Sequence, residues 1–280
     1  MAAAVQKSPE GLAYLNLGCG SHFFKEWNNL DRSGGEPVVR HDLRRPLPYP
    51  DNTFAAVYSS HVLEHLTPAQ GKSLVREIHR VLAPGGVCRL AVPDLEQICK
   101  EYLNRLAAGI SQPSETNIRR YRWITLELLD QLVRDKPGGL MLELLKKGEA
   151  DAAFVKERCG DEFAEFFEPP GPPGPKEKEA TPFYRKMASK LTHPRGLWQA
   201  LKSRLGAAPE PRHTGEAHRW MYDRLSLELL LNEAGFVDFR VKNFQDSDIP
   251  YWDRYNLDRS ASGNFPRKPD SIYVEGKKPL

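Results

Sequence analysis

The fold of this chain is decided by the stretch Tyr14-Leu15-Asn16-Leu17-Gly18-Cys19-Gly20. The mostly apolar run over residues 13–17 stops at two glycines, which is typical of a buried parallel strand that ends in a tight turn. Glycine allows a ligand to come close to the backbone because it has no Cβ. We therefore expect a ligand-binding turn at Gly18 and Gly20, and a plain strand and turn is the alternative.

A carboxylate follows the next strand-like run. Asp31 comes directly after residues 27–30 (WNNL), eleven residues past Gly20. In a doubly wound sheet, an acidic residue at such a strand tip hydrogen-bonds the hydroxyls of a ribose. A dinucleotide fingerprint would need a third glycine where this chain has Phe23, and an acid about 20 residues further on. The pattern predicts a nucleoside cofactor without a pyrophosphate, which suits S-adenosylmethionine.

Strand and helix patterns alternate over the first hundred residues. Strands are predicted at 38–41, 54–58 and 87–92, and Thr67-Pro68-Ala69-Gln70 has the residues of a capping box that opens a helix. This alternation predicts an α/β fold with a parallel sheet covered by helices on both faces. A further helix is expected to be capped by Asp223, with strands at 236–244 and 271–275.

Several of these motifs together resemble those of class I S-adenosylmethionine-dependent methyltransferases, most closely the bacterial type 11 group. The motifs are Leu15–Gly20, Asp31, His41-Asp42-Leu43, His61–His65 and Pro84-Gly85-Gly86. The resemblance covers residues 13–96 and, more weakly, 217–278. It implies a Rossmann-like, seven-stranded, mostly parallel sheet whose last hairpin is antiparallel.

The resemblance also implies the cofactor S-adenosyl-L-methionine and the residues that hold it. These are Asn16, Gly18, Cys19, Gly20, Asp31, Asp42, Leu43, Ser60 and His61. The counterpart of Asp42 in that family accepts a hydrogen bond from the adenine amino group. A helix N-cap is the alternative role for Asp42.

The run His61-Val62-Leu63-Glu64-His65 matches the H-x-x-E-H pattern of inverted zinc peptidases. That site needs a helix long enough to hold both histidines on one face. Here a strand ends immediately upstream, and Pro68 follows within three residues and disfavours helix before it. The spacing therefore argues against a peptidase.

The same run resembles the E-x-x-E-H run of the ubiquinone-pathway and small-RNA 2′-O-methyltransferases, whose carboxylates and histidine hold a divalent ion. In this chain a histidine replaces the first glutamate. We therefore predict no metal, and expect Glu64 and His65 to form hydrogen bonds that shape the cofactor pocket. A metal site completed by His213 or His218 is the alternative.

Candidate catalytic residues come from two places in the chain. His218-Arg219-Trp220-Met221-Tyr222 resembles an H-x-W-x-Y/F run that faces the acceptor pocket of similar bacterial enzymes. We expect Trp220 and Met221 to pack in the core, and His218 and Tyr222 to be functional. Methyl transfer to a hydroxyl requires a general base, and histidine suits this task at neutral pH. His61 is the first candidate and His218 the second.

The domain prediction divides the chain into a core of residues 1–110 and 215–280 and a helical lid insertion at 111–214. Helical patterns cover 117–134 and 140–147, and a further helix is expected within 151–168. A proline-rich charged linker near 169–182 is expected to be disordered.

Residues 183–205 contain six Lys or Arg, no acid, and interleaved apolar side chains. We interpret this segment as a lid helix with a solvated basic face. Binding to a membrane surface, a nucleic acid or an anionic substrate is the alternative.

Composition narrows the class of protein. The four cysteines lie far apart without a C-x-x-C pair, so neither a zinc cage nor a disulfide framework is indicated. No apolar stretch approaches the 18 residues of a membrane span, and a net charge of +3 does not by itself indicate a polyanionic partner. We expect a soluble, cytoplasmic protein.

The sequence thus predicts an S-adenosylmethionine-dependent methyltransferase that O-methylates a small molecule or sugar. A small-molecule or glycan acceptor is the expected partner, and a nucleic acid is less favoured. The alternatives are an RNA methyltransferase and a non-catalytic S-adenosylmethionine-binding protein.

Overall fold

A seven-stranded sheet organises the molecule, for which a computed structural model describes residues 4–160, 217–260 and 263–280. The strands are β1 Tyr14–Leu17, β2 Asn28–Asp31, β3 Val39–Arg40, β4 Phe54–Ser60, β5 Leu82–Pro93, β6 Val237–Lys242 and β7 Ser271–Lys277. Their order in the sheet is β3-β2-β1-β4-β5-β7-β6. The first five pair in parallel, and β7 runs antiparallel to both β5 and β6. The predicted α/β fold with a mostly parallel sheet is confirmed.

Five of the seven helices in the described residues begin at a residue whose side chain caps the helix. The helices are α1 Pro68–Val81, α2 Leu95–Ser111, α3 Glu115–Val133, α4 Gly139–Lys146, α5 Ala152–Cys159, α6 Arg224–Glu233 and α7 Trp252–Tyr255. At α1 the Thr67 hydroxyl accepts from the Gln70 N–H, and the Gln70 side chain accepts from the Thr67 N–H. Asp223 and Ser226 form the same reciprocal pair at α6. Both predicted caps are present.

Apolar side chains on the two faces of the sheet belong to different clusters. Leu15 and Leu17 of β1 belong to a cluster with residues of α1 and α6, such as Val75 and Leu227. Tyr14 belongs to an aromatic cluster that includes residues of α7. The alternation along β1 follows from the period of two in a strand.

A separate helical cluster is built from α2, α3, α4 and α5. Its buried members include Ile98, Trp123, Met141 and Phe154. The helices predicted at 117–134 and 140–147 correspond to α3 and α4, while α5 begins at Ala152 within the range 151–168. The linker at 169–182, the basic segment at 183–205 and His213 lie outside the described residues.

Candidate functional site

The glycine turn after β1 is held against the end of β2 by backbone hydrogen bonds. The N–H groups of Gly18 and Cys19 both donate to the Leu30 carbonyl, at 2.8 and 3.2 Å. The Gly20 N–H donates to Oδ2 of Asp31 at 3.0 Å. The turn and the carboxylate, which are eleven residues apart in the chain, thus form one local unit at the carboxyl edge of the sheet.

Glycine is required at two positions of this turn for different reasons. Gly18 and Gly20 have φ values of +66° and +54°, in the left-handed region. A Cβ on Gly18 would lie 2.2 Å from Cγ2 of Val62, whereas a Cβ on Gly20 would meet nothing within 4 Å. The packing constraint at Gly18 is therefore the Val62 side chain, and the open space lies beside Gly20.

Asp31 is fixed in place but keeps accepting capacity. Its Oδ1 accepts from the Ser33 N–H at 2.8 Å and from the Ser33 hydroxyl at 2.6 Å, while Oδ2 accepts from Gly20. A carboxylate offers about four lone-pair sites. One remains for a ligand hydroxyl after these three bonds.

Asp42 and Leu43 follow β3 at the same edge of the sheet. Both Asp42 carboxylate oxygens accept from the Arg44 guanidinium, at 2.8 and 2.6 Å. These hydrogen bonds to Arg44 lower the pKa of Asp42, so the group is a carboxylate at neutral pH. Leu43 is half-buried and packs against the core beneath it.

Three other predicted cofactor residues differ in exposure. Asn16 is buried, and its amide donates to the His22 carbonyl at 3.2 Å, which ties the loop to β1. Cys19 is buried, and desolvation raises the pKa of its thiol to about 12. Ser60 is half-buried at the end of β4, opposite Ala91 of β5.

His61 leaves β4 in a conformation that few side chains adopt. Its φ is +53°, and its N–H still donates to the Ala91 carbonyl at 2.9 Å. The Nε2 atom lies 2.8 Å from the Ser271 hydroxyl, and Nδ1 lies 3.1 Å from Oε1 of Glu64. Sequence reasoning missed Ser271, because only the pairing of β7 with the end of β5 brings it here.

Glu64 lies in a single 3-10 turn over Leu63–His65 and has no exposed surface. The short turn confirms that no helix holds the two histidines of the H-x-x-E-H run. The Glu64 carbonyl accepts from the N–H groups of Arg219 and Trp220, at 2.7 and 3.2 Å. Burial raises the pKa of the Glu64 carboxyl to about 8.

Two histidines complete the surroundings of Glu64. His65 Nε2 lies 3.9 Å from Glu64 Oε1, and its Nδ1 lies 3.4 Å from the Ala217 carbonyl oxygen. The buried His218 packs its ring edge-on against His65, with centroids 4.9 Å apart. Burial lowers the pKa of His65 to about 4 and holds the pKa of both His61 and His218 well below the usual range. These imidazoles are therefore neutral at pH 7.

The segment after His218 differs in part from the prediction. Met221 is buried, as expected, in the helical cluster. Trp220 is 47% exposed, so the expectation that it packs in the core was wrong. Its backbone N–H is bound to Glu64, which leaves the ring outside. Tyr222 is buried, its hydroxyl faces the Gly71 backbone of α1, and desolvation raises its pKa to about 12.

The comparisons with known proteins agree with this architecture. Residues 21–90 match the family model of the methyltransferase domain, in its type 11 form. An uncharacterised methyltransferase of Synechocystis sp. is 42% identical over 48 residues, which cover 17% of this chain and 23% of that relative. The matched region thus spans less than a quarter of the relative's length.

Two solved structures of S-adenosylmethionine-dependent methyltransferases also align over most of the chain. The protein from Mesorhizobium loti is 16% identical with a TM-score of 0.39, and 96% of this chain and 91% of that chain are covered. The protein from Archaeoglobus fulgidus is 13% identical with a TM-score of 0.40, at 95% and 86% coverage. Likeness at this level does not bear on the reaction or the acceptor.

The resemblance to the class I S-adenosylmethionine-dependent methyltransferases is confirmed by the domain match and the strand order together. Residues 21–90 thus resemble the methyltransferase domain of the type 11 group. Among the described residues, no helix is long and apolar enough to cross a membrane.

Proposed function

We propose that this chain is an S-adenosylmethionine-dependent methyltransferase that acts on a hydroxyl group of a small molecule or sugar. The observation that carries the proposal is the glycine turn, whose open side at Gly20 adjoins the anchored Asp31 carboxylate. A turn without side chains beside a carboxylate suits a nucleoside, and the methyltransferase domain match supports S-adenosylmethionine as that nucleoside.

The residues present fit S-adenosylmethionine. Asp31 would accept from a ribose hydroxyl, and the space beside Gly20 would admit the amino-acid tail past the backbone. Asp42 would accept from the adenine amino group, with Leu43 as an apolar contact for the ring. When bound, the cofactor supplies a methyl group already activated by its sulfonium.

The chain's own contribution is alignment of the acceptor and removal of its proton. Transfer of an activated methyl group by in-line displacement mainly requires that the acceptor atom is aligned with it in a pocket that excludes water. We infer that His61 accepts the hydroxyl proton at Nε2, where it now meets Ser271. Its placement at the end of β4, next to Val62 and hence to the cofactor turn, supports this role. His218 and Tyr222 are the other candidates.

Calorimetry with S-adenosylhomocysteine tests the cofactor site. Asp31→Ala removes the ribose acceptor and should weaken binding about tenfold, the equivalent of one hydrogen bond to a charged group. Gly18→Val should weaken it at least as much because of the clash with Val62. Asp51→Ala is the matched control, since that carboxylate is exposed and pairs with Arg80.

Unchanged affinity in a folded Asp31→Ala variant would contradict the site. A methyl-transfer assay then separates an enzyme from a non-catalytic binder. The protein is incubated with extracts and labelled S-adenosylmethionine, and methylated products are detected by mass spectrometry. Salt-dependent binding to RNA would favour the RNA methyltransferase, and that alternative rests on residues 183–205.

A further inference from the structure

The side chains of Glu64, His65 and His218 form a compact group of metal-ligating atoms beside the proposed acceptor pocket. One ligand atom from each residue lies within 4.8 Å of the other two. Glu64 and His65 are neighbours in one turn, while His218 arrives from a segment more than 150 residues later. Hydrogen bonds from Arg219 and Trp220 to the Glu64 carbonyl hold that segment in place.

Several atoms of this group are buried without a partner. Both Glu64 carboxylate oxygens and Nδ1 of His218 have no hydrogen-bond partner within the part of the chain that the structure describes. The His61 Nδ1 is 3.1 Å from Glu64 Oε1 but is not aligned for a hydrogen bond. A buried polar group without a partner is costly, and an ion at the site is one of the few physical explanations.

From these contacts we propose that Glu64, His65 and His218 bind one zinc-class divalent cation. Two imidazoles and one carboxylate are a donor set that suits Zn²⁺ and related transition metals, whereas Mg²⁺ prefers oxygen ligands and octahedral geometry. Three protein ligands leave a fourth position open, as in catalytic zinc sites.

The outer contacts of the group suit this assignment. His65 Nδ1 lies near the Ala217 carbonyl oxygen, at 3.4 Å, so a proton there leaves Nε2 free to bind the metal. His61 is an outer partner of Glu64 rather than a ligand, because its Nε2 is turned to Ser271.

The distance between His65 and Glu64 and the positive charges near His218 both favour zinc over magnesium. Donor atoms around tetrahedral zinc lie roughly 3.3 Å apart, given bond lengths near 2.0–2.1 Å, so the 3.9 Å between His65 and Glu64 must shorten by about half an ångström. Arg134 and Lys268 act electrostatically on His218 with positive charge. The ion must therefore be held by direct coordination rather than by a field of negative charge, which again favours zinc over magnesium.

The proposal deepens the proposed function, since a cation here would polarise an acceptor hydroxyl near His61. Its test measures metal content instead of activity. The full-length chain is stripped with a chelator, incubated with ZnCl₂ or MgCl₂, dialysed, and analysed by mass spectrometry of the metals. We expect one zinc ion per chain, which excess Mg²⁺ does not displace.

Variants then assign the ion to its ligands. His218→Ala and Glu64→Gln should each weaken zinc binding by about a hundredfold or more, because each removes one of three ligands. His79→Ala is the matched control: that histidine also has a buried nitrogen without a partner, but its ring packs on Phe236. Circular dichroism verifies folding, and if Glu64→Gln fails to fold, His218→Ala decides.

Substitution with Co²⁺ reports the ligand type. Visible bands of a nitrogen- and oxygen-bound, low-coordinate ion are expected, and they should disappear in His218→Ala. The site would be overturned by a strong thiolate charge-transfer band in the Co²⁺ spectrum. It would also be overturned if the parent protein retained no zinc, or if the parent and both ligand variants retained equal zinc. Zinc retention without affinity for S-adenosylhomocysteine would overturn the proposed function and leave the metal site standing.

Discussion

Two buried ionisable side chains, Arg89 and Glu64, differ in how their surroundings satisfy them. Neither has any exposed surface. The Arg89 guanidinium donates to Asp258 at 2.7 Å and to Glu275 at 2.8 Å, and it lies over the Trp252 ring at 4.6 Å. The Glu64 carboxylate has neutral histidines around it and no hydrogen bond in the described chain.

The difference separates a buried charge that the fold pairs internally from a buried carboxyl group that the described chain leaves without a hydrogen bond. Arg89 joins β5, β7 and the segment before β7, with further bonds to the Asp246 and Asn243 carbonyls. Four of the five N–H donors of the Arg89 guanidinium thus have partners within the chain. Glu64 lies in the 3-10 turn over Leu63–His65, where its backbone carbonyl binds the segment of Arg219 and Trp220. Its carboxyl oxygens remain available to a ligand.

The largest effect on stability is expected from a substitution of Arg89, whose charge is paired with two buried carboxylates. Arg89→Met leaves Asp258 and Glu275 buried without their cation, so the free energy of unfolding should fall by about 3–5 kcal/mol. Urea unfolding followed by tryptophan fluorescence measures this. A loss below about 1 kcal/mol would mean that water or a rearrangement replaces Arg89. The pairing of Arg89 would then contribute little to the free energy of unfolding.

A smaller effect on stability but a large one on activity is expected at His61. His61→Ala should lower turnover about hundredfold, the range for loss of a general base, while affinity for S-adenosylhomocysteine and stability stay unchanged. His61→Asn should behave alike, since asparagine tolerates the left-handed backbone at this position. If cofactor affinity falls together with turnover, His61 shapes the pocket instead of accepting a proton.

The same chemical change at two buried glutamates gives the sharpest comparison. Glu275→Gln removes a charge that accepts from Arg89 and from the Asp248 N–H, and should cost about 2 kcal/mol. Glu64→Gln in the metal-free protein should alter stability by less than about 0.5 kcal/mol, because no hydrogen bond is lost. Thermal unfolding of the two variants, measured side by side, checks this. Equal losses of stability would show that Glu64 is a structural residue too.

Local features of the fold could be predicted from the sequence because the signals are local. The Thr67 and Asp223 caps involve residues three apart, and the glycine turn contacts Asp31 within eleven residues. The mostly parallel sheet followed from the alternation of elements, and its antiparallel last hairpin followed from the resemblance. None of these required knowledge of a distant partner.

The Glu64 and Arg89 surroundings could not be predicted in full, since they are made across long separations. His218 was named as a second candidate base and as one of two distal metal ligands, and Ser271 was named as part of a strand but not as a site residue. Trp220 was expected in the core, but its side chain is 47% exposed. Tertiary contacts decided these positions, and a single sequence carries little signal for them.

The position of β7 has a consequence for truncation of the chain. β7 follows β6 in the sequence but lies inside the sheet, between β5 and β6, and it brings both Ser271 and Glu275. A chain cut before β7 would present an open β5 edge, a template for pairing with other chains. Such a truncated chain should therefore aggregate, even though the parallel strands of the sheet are all present.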